Sequence, residues 1–181
     1  MTSWIILFRG VGGNTLLPVQ PLKVALAEEG FESVVTYINT GNVVLTSNDR
    51  PKRIVKRVAT VALEHFGFSK HIMIVSRAEW ANLITQNPFP LAVSEPAKLH
   101  AYVLERTPDA EAVKALEQKA TGPEQFEIRG RVLYYYAPQG VSNARLHPKI
   151  EKTLKVAATA RNWNTVIKLA HLAKQMAGDA R

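Results

Sequence analysis

Val34-Val35-Thr36-Tyr37-Ile38, Asn39-Thr40-Gly41-Asn42 and Val43-Val44-Leu45 run consecutively through the first third of the chain. Two short β-branched and aromatic runs flank a cluster of turn formers, the pattern of a β-hairpin. Upstream, Leu17 to Gly30 has apolar residues at 22, 25 and 26 and a glycine stop, which is helix spacing; Pro18 and Pro21 suit only the first turn. Before that helix, Trp4-Ile5-Ile6-Leu7-Phe8 reads as a first strand. Downstream, Pro51 to Phe66 repeats apolar residues at 54, 55, 58, 61, 62 and 66 and ends at Gly67, an amphipathic helix. His71 to Val75 is then a strand. The order strand, helix, strand, strand, helix, strand is the split βαβ of a ferredoxin-like unit.

The second half starts the same order again. Ser76 and Glu79 have capping-box spacing for a helix over 77–85, and the prolines at 88, 90 and 96 mark a boundary. A strand over 99–104, a helix over about 109–120 and a hairpin of 126–128 with 132–136 follow. Helices are expected from Pro148 to about Ala157, with His147 as cap, and from Asn164 to Ala177. The expected fold class is α+β: two related ferredoxin-like halves with antiparallel sheets, 1–90 and 91–181, the second a βαββ unit with additional C-terminal helices.

Composition narrows the function classes. Of 181 residues 46% are apolar, and 23 Lys and Arg against 15 Asp and Glu give a net charge of +8. No stretch approaches the roughly 20 apolar residues of a membrane span. There is no cysteine, which excludes disulfides, thiolate catalysis and cysteine-based zinc sites. The N-terminus lacks a basic leader, and a cytoplasmic protein is expected. The five histidines show no ligand spacing, so no metal is expected, and no cofactor is implied. The basic excess is uneven. From Val141 onward eight cations face only Glu151 and Asp179, and Arg50, Lys52, Arg53, Lys56 and Arg57 open the second helix against its macrodipole.

Five strings then carry a family likeness. Arg9-Gly10-Val11-Gly12-Gly13-Asn14, Gly30-Phe31, Thr36-Tyr37-Ile38-Asn39-Thr40-Gly41-Asn42-Val43, Asn87-Pro88-Phe89 and Thr159-Ala160-Arg161-Asn162-Trp163-Asn164-Thr165-Val166 occur in this order. Together they closely resemble the bacterial family designated domain of unknown function 1697, over nearly the whole chain. The resemblance implies an α+β fold with two related halves and implies no activity. Two departures stand out. The glycine loop is about two residues shorter than the family's Arg-Gly-Ile-Asn-Val-Gly-Gly, and the family's Ser-Lys-Leu-Thr appears as Ala144-Arg145-Leu146-His147. The second departure removes a hydroxyl and keeps a cation.

The candidate site residues are Arg9, Asn14, Asn42, Arg145, Arg161, Asn162, Asn164 and Thr165. Glycine-rich turns such as 9–14 bring backbone N–H groups onto phosphates, or simply allow a tight turn. This one has neither the Lys-Ser/Thr ending of a P-loop nor a third dinucleotide-type glycine. Asn42 is a turn former or an amide presented to a ligand. Arg161 beside Asn162 and Asn164 at a helix start is what an anion pocket would contain, while one asparagine alone explains a cap. Arg145, with Lys149 and Lys152, extends that pocket or is exposed helix charge. Tyr134 and Tyr136 point to one sheet face and Tyr135 to the other, for core packing or base stacking.

The expectation is a binding module for a small phosphorylated or carboxylate ligand, in a cleft between the halves. The alternatives are nucleic-acid binding through the basic faces and a metal-independent enzyme whose catalytic base the sequence does not name. Oligomeric state is left open.

Overall fold

The computed structural model describes residues 1–12 and 17–178. They fall into two compact units, one drawn from Met1–Asn82 and Lys168–Arg181 and the other from Leu83–Ile167.

In the first unit β1 (Thr2–Phe8), α1 (Val19–Glu28), β2 (Glu32–Tyr37), β3 (Asn42–Ser47), α2 (Pro51–Phe66) and β4 (Ile72–Ser76) follow in the expected order. The strands form an antiparallel sheet ordered β2-β3-β1-β4. The register pairs Ile6 with Val43 and Trp4 with Leu45. Period-two alternation then sends Ile6, Phe8, Val43 and Leu45 to the helix side, where they pack with Leu22 and Leu26 of α1 and Ile54, Val58 and Val61 of α2. Helix α2 stops at Gly67, whose left-handed backbone (φ 63°) lets Phe68 N–H reach Ala62 O at 3.0 Å. Its first turns carry the expected cation cluster, and the structure shows what stabilises it. Asp49, just outside the helix, lies 2.8 Å from Arg57 Nη1 and 3.4 Å from Arg53 Nη1. An anion at that end is what the macrodipole favours, and it offsets the misplaced cations.

Helix α3 (Arg77–Thr85) begins with the predicted capping box. Glu79 N–H donates to Ser76 Oγ at 3.2 Å, and the Glu79 carboxylate accepts from Ser76 N–H at 2.8 Å.

The second unit contains β5 (Leu99–Leu104), α4 (Ala110–Glu117), β6 (Gln125–Arg129), β7 (Val132–Tyr136), α5 (Ile150–Leu154) and β8 (Ala158–Asn162), and α6 (Trp163–Gly178) follows. Its sheet order, β6-β7-β5-β8, repeats the topology of the first. The unit is therefore a complete βαββαβ, not the βαββ expected from sequence, because residues 158–162 form an edge strand. Ala158-Thr159-Ala160-Arg161-Asn162 lacks a β-branched or aromatic run, so only pairing with β5 makes it a strand. The helix expected over 148–157 is shorter than predicted. A 3-10 turn, His147–Lys149, leads into α5, which ends where Lys155 turns left-handed at φ 53°. His147 is thus part of the turn and not its cap.

Between sheet and helices lies a core of Tyr102, Leu104, Leu116, Leu133, Tyr135, Leu146, Ile150 and Leu154. No helix among the described residues is long and apolar enough to cross a membrane.

Candidate functional site

In the first unit, three segments distant in sequence meet at one end of the sheet. Phe8 N–H donates to Gly41 O at 2.8 Å, and Arg9 N–H donates to His71 O at 3.0 Å. Lys70 Nζ, 60 residues from its partner, donates to Gly10 O at 2.8 Å. The contact between the β1 turn and the β2–β3 turn is close. A Cβ on Gly41 would sit 2.6 Å from Phe8 Cβ and 2.7 Å from Val11 Cγ2, and the residue adopts φ 74°. Only glycine meets both conditions. Ile38, in the same turn, is also left-handed (φ 47°), which for a β-branched residue costs on the order of 1–2 kcal/mol.

These contacts place Arg9 and Asn42 at the same end of the unit. Asn42 is 2% exposed and holds the turn, its Nδ2 donating to Tyr37 O at 3.1 Å and Thr40 Oγ1 at 2.9 Å. Asn14 lies outside the described residues. Lys70 and His71 were not singled out by sequence reasoning. They precede a strand without any motif, and only the antiparallel pairing of β4 with β1 brings them to the glycine turn.

The other five candidates belong to the second unit. Arg161 sits on β8 opposite Ala101 and is 8% exposed. Its Nη1 donates to Thr159 Oγ1 at 2.8 Å and to Ala160 O at 2.7 Å. Burial lowers its pKa to about 10, which still leaves it cationic at neutral pH. Asn162 is the helix cap: its Oδ1 accepts from Thr165 N–H at 3.0 Å, the third helical position of α6. Asn164 is exposed and Thr165 is buried. Arg145 is exposed, and its backbone N–H, with that of Leu146, is held by the Glu124 carboxylate at 2.6 and 2.9 Å. Asn162→Ala should therefore lower stability by about 1 kcal/mol, the usual cost of a lost cap. A melting curve that does not move would show that the cap contributes nothing.

The second unit also gathers titratable groups that the sequence left scattered. His100 and Tyr102 share a face of β5, and His100 is paired with Tyr135 on one side and Asn162 on the other. The Tyr102 hydroxyl bonds His147 Nδ1, and the rings of Tyr102 and Tyr135 meet edge to face at 5.9 Å. Burial raises the pKa of both tyrosines, so Tyr102 keeps its proton in the bond it shares with His147. Among the described residues, Tyr135 OH and His100 Nδ1 are enclosed without a hydrogen bond of good geometry, which costs stability. Tyr134 is equally buried and donates to Leu83 O at 2.7 Å. Neither Tyr134 nor Tyr135 is therefore offered to a stacking base. Among the described residues no group of three or more His, Asp or Glu stands ready to hold a metal.

Comparison with known proteins adds family and fold. A solved structure titled "conserved bacterial protein SP0830 from Streptococcus pneumoniae" is similar, with a TM-score of 0.73 and 22% identity. The likeness covers 96% of this chain and 99% of that one, and it shows the fold. A search of curated proteins returns no match. The family model described as protein of unknown function (DUF1697) matches residues 1–134, and the chain therefore belongs to the DUF1697 family.

Proposed function

We propose that the chain binds a small anionic ligand, phosphorylated or carboxylate, at the loop end of the first unit's sheet, with Arg9 and Lys70 as its principal cations. The observation that supports this reading best is the seat of Lys70 Nζ on Gly10 O at 2.8 Å, immediately beside Arg9. Arg9 and Lys70 bring two cations to one glycine turn, and an anion bound there would be attracted by both. The His71 carbonyl holds the Arg9 backbone N–H at the same turn, and Asn42 fixes the neighbouring hairpin. In the second unit Arg161, Asn164 and Arg145 are proposed as further anion-facing groups, with Asn162 and Thr165 keeping the start of α6 in place. Among the described residues, a Cβ placed on Gly12 would meet nothing within 4 Å.

Titration calorimetry of the whole chain with inorganic phosphate and with citrate tests the proposal. Arg9→Ala/Lys70→Ala should weaken binding at least tenfold while the melting temperature stays within a few degrees. Unchanged binding in that variant, or none in the wild type at millimolar ligand, would refute it. The nucleic-acid reading would gain instead if only oligonucleotides bound, with an affinity falling steeply with salt.

A further inference from the structure

The end of the first unit opposite the glycine turn carries a second cationic feature. The register places it there: Thr2 pairs with Ser47 at one end of β1, and Leu7 with Asn42 at the other. Helix α2 starts from the Ser47 end, so its first turns, with Arg53, Lys56 and Arg57, begin at the end of the sheet away from Arg9. The spacing of three and four residues puts these three and Thr60 on one side of the helix. With Glu29, which follows α1, they line an open groove of about 510 Å³. That volume falls in the range of small-molecule sites, roughly 300–1,000 Å³.

The groove has a fixed wall and a solvent-facing one. Arg57 is fixed: its Nε donates to Glu29 Oε1 at 3.0 Å, its Nη1 to Asp49 Oδ2 at 2.8 Å, and its Nη2 to the Glu29 carbonyl. Its guanidinium lies 4.3 Å from the Phe31 ring centroid, a cation–π contact. Its donors toward Glu29 and Asp49 are satisfied, so its role is to hold Glu29 in position. Arg53 is different, with a side chain 73% exposed and only a 3.4 Å approach to Asp49. Lys56 is exposed as well, with no ion pair among the described residues. Arg53, with a long ion pair to Asp49, and Lys56 thus line one small space with a carboxylate and a threonine hydroxyl.

We propose that this groove is a second binding site, for a small phosphomonoester with a hydroxyl-bearing body, the chemistry of a sugar phosphate. Arg53 and Lys56 take the phosphate; the Glu29 carboxylate and the Thr60 hydroxyl accept from the sugar hydroxyls. The Glu29 carboxylate argues against a polyanion, because a second phosphate would have to lie against it.

The test is titration calorimetry of the full chain with glucose 6-phosphate, inorganic phosphate, glucose and a single-stranded oligonucleotide. Glucose 6-phosphate should bind saturably and more tightly than phosphate or glucose. Arg53→Ala/Lys56→Ala should weaken it at least tenfold, and Thr60→Val, which leaves the Arg57 contacts untouched, should narrow its margin over inorganic phosphate. Arg9→Ala/Lys70→Ala should leave glucose 6-phosphate binding unchanged, which separates this site from the glycine-turn site. No binding of glucose 6-phosphate would overturn the proposal, as would equal binding in Arg53→Ala/Lys56→Ala or a preference for the oligonucleotide.

Discussion

Gly41→Ala is expected to cost roughly 3 kcal/mol of stability, combining a left-handed non-glycine residue with overpacking of a tight contact. The alanine Cβ would lie 2.6 Å from Phe8 Cβ and 2.7 Å from Val11 Cγ2, with the Phe8 carbonyl oxygen at 3.3 Å. Neither Phe8 nor its carbonyl can retreat easily, since Phe8 is 1% exposed and its ring packs edge to face on Phe68 at 5.3 Å. For a chain of this size the loss should lower the melting temperature by about 6–12 °C. Gly67→Ala is the control. Gly67 is also left-handed (φ 63°), but a methyl group placed on it would meet nothing within 4 Å, so only backbone strain applies, about 1 kcal/mol. Equal losses for the two variants would mean that the Phe8–Gly41 contact is not a tight joint.

The second large effect is acid lability of the second unit. Burial lowers His100 to about 4 and pushes His147 below its ordinary value, although Glu151 pulls His147 the other way. In the unfolded chain both would titrate near 6.5. Between about 6.5 and 4 the unfolded state therefore binds more protons than the folded one. The stability these histidines contribute is present above the unfolded pKa and is lost as pH falls toward 4. His100 alone contributes on the order of 3 kcal/mol to that loss. Urea midpoints at pH 7, 5.5 and 4.5 should decline accordingly, and His100→Leu should flatten the decline. The leucine variant removes the His100 contribution and leaves in place the backbone N–H groups held by the Glu124 and Glu151 carboxylates. A variant as acid-sensitive as the wild type would show that His100 is not the group responsible.

The parts of the fold that were legible in the sequence are those where local pattern and tertiary demand agree. The amphipathic stripe of 51–66, the box of Ser76 and Glu79, and the hairpin around Asn39 to Asn42 carry their own start and stop signals, and the structure places them within a residue or two. Strand β8 was not legible, because alanine, arginine and asparagine become a strand only when β5 supplies a partner. The shortened α5 escaped for a related reason: a 3-10 turn and a left-handed Lys155 leave almost no mark on apolar periodicity.

The candidate site divides in the same way. Arg9 and Asn42 were legible as polar residues at strand ends, but the work of Asn42 in its own turn and of Asn162 as a cap follows from hydrogen bonds that composition does not encode. Lys70 shows the opposite case. Nothing around it stands out in sequence, and its place on Gly10, 60 residues away, depends on the pairing of β4 with β1. The cations of α2 looked electrostatically misplaced, and Asp49 and Glu29 resolve that only in three dimensions.

Backbone amide shifts recorded while inorganic phosphate is added to the isotope-labelled chain decide whether the glycine turn takes an anion. Saturable movement confined mainly to Arg9, Gly10, Gly41, Lys70 and His71, absent from Arg9→Ala/Lys70→Ala, is the predicted outcome. Shifts that spare this turn, or that scatter over the surface without saturating, would contradict it.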